Sequence, residues 1–126
     1  MSKEHPLVAV VDDEESVRKA LQRLLRSVGM TTEAFATGAE FLQSLADHKP
    51  DCIVLDIHMP GMTGFEVQAR LAVAGPPLPV VIITGYDSPE TQNRVMTAGA
   101  SAYLRKPIND EALLAAIHRA IGGTPA

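Results

Sequence analysis

The sequence predicts a doubly wound α/β domain: a five-stranded parallel sheet with helices on both faces. Three observations lead there. Five short strand-like runs recur along the chain, segments with helical periodicity follow them, and Gly, Pro, Ser, Thr and Asn residues punctuate the joints. Strand and helix periods that alternate in this way imply crossover connections, and hence a parallel sheet covered by helices.

The elements follow in order. Leu7 to Val11 is a continuous apolar run stopped by Asp12-Asp13, short and β-branched enough to be a buried strand. From Glu14 the period changes, because Val17, Ala20, Leu21, Leu24, Leu25 and Val28 describe one helix face, and Gly29 supplies a stop. "TTEAFA", from Thr31, reads as a short edge strand, and Thr37 with Glu40 has capping-box spacing for a helix through Phe41, Leu42 and Leu45. Pro50-Asp51 interrupts before the strand "CIVLD". Pro60-Gly61 then makes a turn, and Thr63 with Glu66 is a second capping box, opening a helix that carries Val67 and Leu71 and closes at Gly-Pro-Pro, 75 to 77. "PVVIIT", from Pro79 to Thr84, is almost wholly β-branched and reads as a central strand. Ser88-Pro89 supplies an N-cap and a proline at the first helical position, for a helix ending near Gly99. "SAYLRK" is the fifth strand. Asn109 caps a last helix with Leu113, Leu114, Ile117 and Ile121 on one side and Gly122-Gly123 after it.

The composition bounds the function classes. A chain of 126 residues with 46% hydrophobic content fits one domain, 1–126, with a core at about 7–121 and a tail or the start of a linker at 122–126. Fifteen acidic against eleven basic side chains give a net charge of -4, and the basic residues read as dispersed, which disfavours a nucleic-acid footprint on this chain. The single cysteine, Cys52, sits in an apolar run and reads as a buried thiol. No run approaches the ~20 apolar residues of a membrane span, and no signal-peptide core follows the N-terminus, so a cytoplasmic chain without membrane contact is expected.

In an open parallel sheet, ligands bind beyond the carboxyl ends of the strands. Those ends bring Asp12 and Asp13 from the first strand, Asp56 from the third, Thr84 from the fourth and Lys106 from the fifth. Taken singly, each has an ordinary reading: aspartates serve turns, Thr84 finishes a strand, Lys106 is a surface lysine and His58 a loop residue. Together they are three carboxylates that repel one another unless a cation joins them. Oxygen-only ligands suit Mg²⁺, and a carboxylate beside such an ion can act as nucleophile toward a phosphoryl donor. Asp56 is the candidate nucleophile, Asp12 and Asp13 the metal holders, and Lys106 and Thr84 the groups for the phosphoryl oxygens. No glycine-rich phosphate cradle is present.

The set Asp12-Asp13, "DIHMPGMTG" from Asp56, "ITG" around Thr84 and "LRKP" with Lys106-Pro107 resembles the receiver domain of bacterial two-component response regulators over roughly residues 7 to 121. Within that family it looks most like receivers fused to a helix-turn-helix output of the LuxR type. The resemblance implies a flavodoxin-like sheet of order 2-1-3-4-5, phosphotransfer from a sensor histidine kinase, Mg²⁺ with Mn²⁺ as a substitute, and slow self-dephosphorylation rather than enzymatic turnover. Residue by residue it implies Asp56 as phosphoacceptor, Asp12, Asp13, Asp56 and the His58 backbone carbonyl as metal ligands, and Thr84 and Tyr103 as switch residues. Lys106 becomes the phosphoryl contact, Pro60-Gly61 shapes the loop, and Pro107 follows a cis bond. The output would be homodimerisation or partner binding through the face formed by the fourth helix, fifth strand and fifth helix, with nucleic acid reached only through a separate output domain.

Two expectations concern rate rather than identity. His58 and Tyr86, each two residues past a site residue, are placed to tune the lifetime of the phosphorylated state, and Gly85 is expected to loosen the loop to Ser88. The alternative reading is a stand-alone receiver that relays phosphoryl groups or binds a target protein directly. A phosphatase of the haloacid dehalogenase type is disfavoured, since Asp56-Ile57-His58 lacks its D-x-D pattern and no cap domain is evident.

Overall fold

The computed structural model describes residues 5–122, so the expected tail beyond Gly122 lies outside the described residues. Five strands and five helices alternate: β1 (Leu7–Val11), α1 (Glu15–Ser27), β2 (Thr31–Phe35), α2 (Gly38–Ser44), β3 (Cys52–Asp56), α3 (Gly64–Ala74), β4 (Val80–Thr84), α4 (Pro89–Thr97), β5 (Ala102–Arg105) and α5 (Asp110–Gly122). The sheet order is β2-β1-β3-β4-β5 and every pairing is parallel. β3 is therefore the central strand. β4, expected to be central, lies one place away between β3 and β5, yet it is buried throughout.

Alternation along the inner strands divides the core between two faces. Ala9, Val11, Ile53, Leu55, Val80 and Ile82 pack with Phe41, Val67 and Val95 of α2, α3 and α4. Val8, Val10, Cys52, Val54, Val81 and Ile83 pack with Leu21, Leu25, Leu113 and Ile117 of α1 and α5. Register then fixes where the strands end: Val11 pairs with Leu55, Asp56 with Ile83, and Thr84 with Arg105. The residues just past those pairs share one edge of the sheet.

The caps behave as local chemistry dictates, with one difference. Thr63 and Glu66 form the full reciprocal box, whereas Thr37 accepts from the Glu40 backbone N–H while the Glu40 carboxylate bonds the Thr37 hydroxyl. Ser88 and Asn109 cap α4 and α5 through Thr91 and Ala112. Two sequence expectations need correction. Val28 does not extend the apolar face of α1; it is the C-cap residue and 46% exposed, because the helix ends at Ser27 and Gly29 turns the chain at φ +88. The basic residues are not dispersed, since Arg18, Lys19, Arg23 and Arg26 all lie on α1, where helical spacing brings Lys19, Arg23 and Arg26 onto one concave surface. Gly85 lies outside the left-handed backbone region.

Gly64, the first residue of α3, matters for a different reason. A methyl group there would stand 2.6 Å from the Asp56 carbonyl oxygen and 2.8 Å from Ile57 Cα, both backbone atoms that cannot swing aside. Gly64→Ala should therefore lose about 1–3 kcal/mol in urea unfolding. Gly85→Ala, whose methyl meets only Lys106 Cδ at 3.9 Å, should stay within about 0.5 kcal/mol of the parent.

Candidate functional site

The sheet edge gathers the residues that the sequence singled out. Asp12 follows β1 directly, is fully buried, and is anchored by its N–H to the Phe35 carbonyl at 3.1 Å. Its Oδ1 accepts from the Glu14 N–H at 2.9 Å, and its carbonyl accepts from the Arg18 guanidinium at 2.9 Å. Asp56 ends β3 and is 3% exposed. Carboxylate oxygens of Asp12, Asp13 and Asp56 lie within 4.8 Å of one another. The Lys106 ammonium reaches into this group, donating to Asp12 Oδ2 at 2.8 Å and standing 3.5 Å from Asp56 Oδ1 and from Glu14 Oε1.

Two backbone devices hold the frame. The Lys106 N–H donates to the Thr84 carbonyl at 2.8 Å, tying the end of β5 to the end of β4, and the Lys106–Pro107 bond is cis. The loop after β3 closes through the Gly64 N–H on the Ile57 carbonyl at 2.8 Å, with Pro60 exposed, Gly61 at φ +77 and Met59 buried beneath. Asp56 is thus presented from a fixed strand end.

The electrostatics follow from this crowding. Burial pushes the Asp56 carboxyl up, Asp12 and Asp13 push it further, and Lys106 only partly offsets them, leaving it at about 7. For Lys106, burial pulls downward, but Asp12, Asp56 and Glu14 outweigh it and the ammonium titrates above its ordinary value. A cluster of three carboxylates and one ammonium has an all-oxygen donor set with an excess of negative charge, and it can coordinate a divalent metal such as Mg²⁺.

The other expected residues stand around this centre. Thr84 is fully buried and its Oγ1 accepts from the Tyr86 N–H at 3.0 Å. Tyr103 is not at the cluster; its hydroxyl donates to Asp87 Oδ1 at 2.6 Å, and Asp87 also faces the Arg105 guanidinium at 3.5 Å. His58 and Tyr86 meet edge to face with ring centroids 5.1 Å apart. Sequence reading missed Glu14, Arg18 and Asp87. Glu14 was assigned to the helix, but it makes no side-chain cap there, and its carboxylate faces Lys106 instead. The acidic triplet Asp12-Asp13-Glu14 was the available signal. Cys52 is buried as expected, its thiol pushed up to about 12 by burial.

This geometry has known counterparts. Residues 8–118 match the model of the response regulator receiver domain. The chain belongs to that family. The response regulator protein TmoT of Ectopseudomonas mendocina is 33% identical to this receiver over 125 residues, which cover 99% of the chain and 57% of TmoT. The DNA-binding transcriptional regulator NtrC of Escherichia coli is 38% identical over 115 residues, covering 91% of the chain and 24% of NtrC. A receiver protein crystal structure from Burkholderia phymatum is similar with a TM-score of 0.82 at 44% identity, covering 93% of this chain and 95% of that one. The receiver thus spans about half, or less, of the length of these two curated relatives. A receiver of this family accepts a phosphoryl group at its aspartate cluster and is not a turnover enzyme. Among the described residues no helix is long and apolar enough to cross a membrane.

The raised Asp56 value has a sign that can be measured. Its folded-state pKa, about 7, lies above the ordinary 3.8, so the metal-free fold is favoured at pH values below about 4 and loses that contribution as pH rises through 7. In EDTA, Asp56→Asn should become progressively more stable than the parent between pH 5 and 8, and millimolar Mg²⁺ should narrow the gap by stabilising the parent. Thermal unfolding across that pH range checks this, and a pH-independent gap would contradict it.

Proposed function

We propose that Asp56 is the phosphoryl acceptor of a signalling switch loaded by a sensor histidine kinase. One observation carries the proposal: the Asp12, Asp13 and Asp56 carboxylates converge with the Lys106 ammonium at the carboxyl edge of the sheet. An Asp56 carboxylate oxygen attacks the phosphorus of a kinase phosphohistidine, the P–N bond breaks, and the imidazole leaves with the bonding pair and takes up a proton. Lys106 neutralises one phosphoryl oxygen. The Thr84 hydroxyl, which in the resting structure only accepts from Tyr86 N–H, has its proton available for another. Asp12, Asp13, Asp56 and the His58 carbonyl would hold a divalent cation, which would supply positive charge to keep Asp56 ionised and to balance the phosphoryl group.

Phosphorylation adds charge and acceptor oxygens. Thr84 moves toward them, and the α4-β5-α5 face, which carries Tyr103, Asp87 and Arg105, changes shape. That face is the docking surface for a second copy, a partner or an output domain. The similarity to NtrC, a DNA-binding transcriptional regulator longer than this chain, supports a role in transcription control through such an output, with the kinase as upstream partner. The receiver domain has its core at about residues 7–121. The buried free thiol of Cys52 supports a cytoplasmic site of action.

Two outcomes test the chemistry. Incubation with a small acyl phosphate and Mg²⁺ should add one phosphoryl mass to the parent and none to Asp56→Asn; an adduct surviving in the variant moves the acceptor elsewhere. The second concerns lifetime. His58→Ala and Tyr86→Ala should each change the half-life of the adduct more than its rate of formation. Because the rings touch, worth about 0.5–1.5 kcal/mol, the double variant should depart from additivity. Half-lives equal to the parent's would defeat this assignment.

A further inference from the structure

The seam between α3 and α4 contains a polar group that the resting fold leaves unsatisfied. Gln68 sits on the buried face of α3 beside Gly64, Val67 and Leu71, a position where helical spacing calls for an apolar side chain. Its residue is 5% exposed, and its Nε2 donates across the seam to the Val95 carbonyl of α4 at 3.2 Å. The Val95 carbonyl already accepts from the Ala100 N–H at 3.0 Å, so α4 does not need the second bond. Gln68 Oε1, by contrast, has no hydrogen-bond partner among the described residues and almost no surface open to water. Flipping the amide gives no relief, because it would set that oxygen against the Val95 carbonyl. An acceptor stranded in this way opposes the state that strands it.

Two further features lie on the same seam. The Arg94 guanidinium, one residue before Val95, stacks 3.7 Å from the centroid of the Phe65 ring on α3, a contact that holds the helices together. Gln68 also lines a cleft of about 130 Å³ that reaches Ala98 and Gly99 at the end of α4, although its Oε1 has almost no open surface. A small shift of α4 away from α3 would admit water to the stranded oxygen. The closed seam is therefore held by the Arg94–Phe65 contact, by the Gln68–Val95 bond and by core packing, and opposed by one buried atom.

We propose that Gln68 is a regulatory device that loosens the resting placement of α4 and so sets how readily the switch face is repositioned. This rests on the reading of the chain as a phosphorylation switch, and it adds the source of the bias between the two states. The resting seam carries a built-in cost that opening removes, so a given phosphoryl signal shifts more of the population.

The test replaces the amide by an apolar side chain of similar size. In unphosphorylated protein, Gln68→Leu and Gln68→Met should each unfold at higher urea concentration than the parent, and the backbone amides of α4 should exchange with solvent about tenfold more slowly. After treatment with a small acyl phosphate and Mg²⁺, both variants should form the same adduct as the parent, yet show a smaller change in α4 exchange. Unchanged or faster resting exchange in both variants, or loss of the fold in both, would overturn the proposal and make Gln68 a structural tie. Failure of the parent to form an adduct would count against the phosphoacceptor reading instead, because the resting comparison is made without phosphorylation.

Discussion

Three carboxylates at the end of a buried sheet repel one another, and the rest of this receiver is arranged around that repulsion. A carboxylate cluster in a low-dielectric setting either binds a cation or takes up a proton. The chain supplies one cation of its own, Lys106, from a point 94 residues away from Asp12 in sequence. Burial raises the Asp56 carboxyl first, and the charge of Asp12 and Asp13, which one ammonium only partly offsets, raises it further, to about 7. The deficit is the chemical capacity of the site. A group this short of positive charge can coordinate a hard divalent ion.

Holding the charges in place falls to the backbone. The inner strands β1, β3 and β4 are buried along nearly their whole length, so their register cannot slip without exposing one apolar face or the other. That register sets Asp56 one residue past the Val11–Leu55 pair and puts Thr84 opposite Arg105. Lys106 is fixed twice, by its N–H on the Thr84 carbonyl and by its ammonium on Asp12. Gly64 lets α3 start hard against the carbonyl of Asp56, closing the loop that presents the acceptor.

What the sequence disclosed follows a physical division. Signals contained within one element were legible: the strand "CIVLD" has the predicted bounds, and the Thr63–Glu66 box, the Ser88-Pro89 start and the Asn109 cap all form. The strand-end residues were also legible as a set, because one topology brings them together. Contacts between elements were not. Nothing local in the sequence states that the His58 and Tyr86 rings meet, that Tyr103 is bonded to Asp87, or that Glu14 turns from its helix to Lys106. The basic stripe on α1 was hidden because its members are separated in the chain and adjacent only on a helix. Gln68 could have been noticed as a polar residue at a core position, but only the structure shows that half of its amide is left unpaired.

The same inter-element contacts link Thr84 and Tyr103, the two residues of the proposed switch. A purely steric account has Thr84 vacate space that Tyr103 then fills. In the structure a shorter chain of bonds joins them: Thr84 Oγ1 holds the Tyr86 N–H, and Asp87, the next residue, holds the Tyr103 hydroxyl and faces Arg105. A Thr84 hydroxyl drawn toward a phosphoryl oxygen therefore disturbs the loop from 85 to 87, and with it the acceptor that keeps Tyr103 in its resting position. The phenol need not wait for a void to open. In the proposed switch, its release and the Thr84 movement would be two ends of one displacement, transmitted through three residues whose only exposed aromatic, Tyr86, also leans on His58 in the loop after β3.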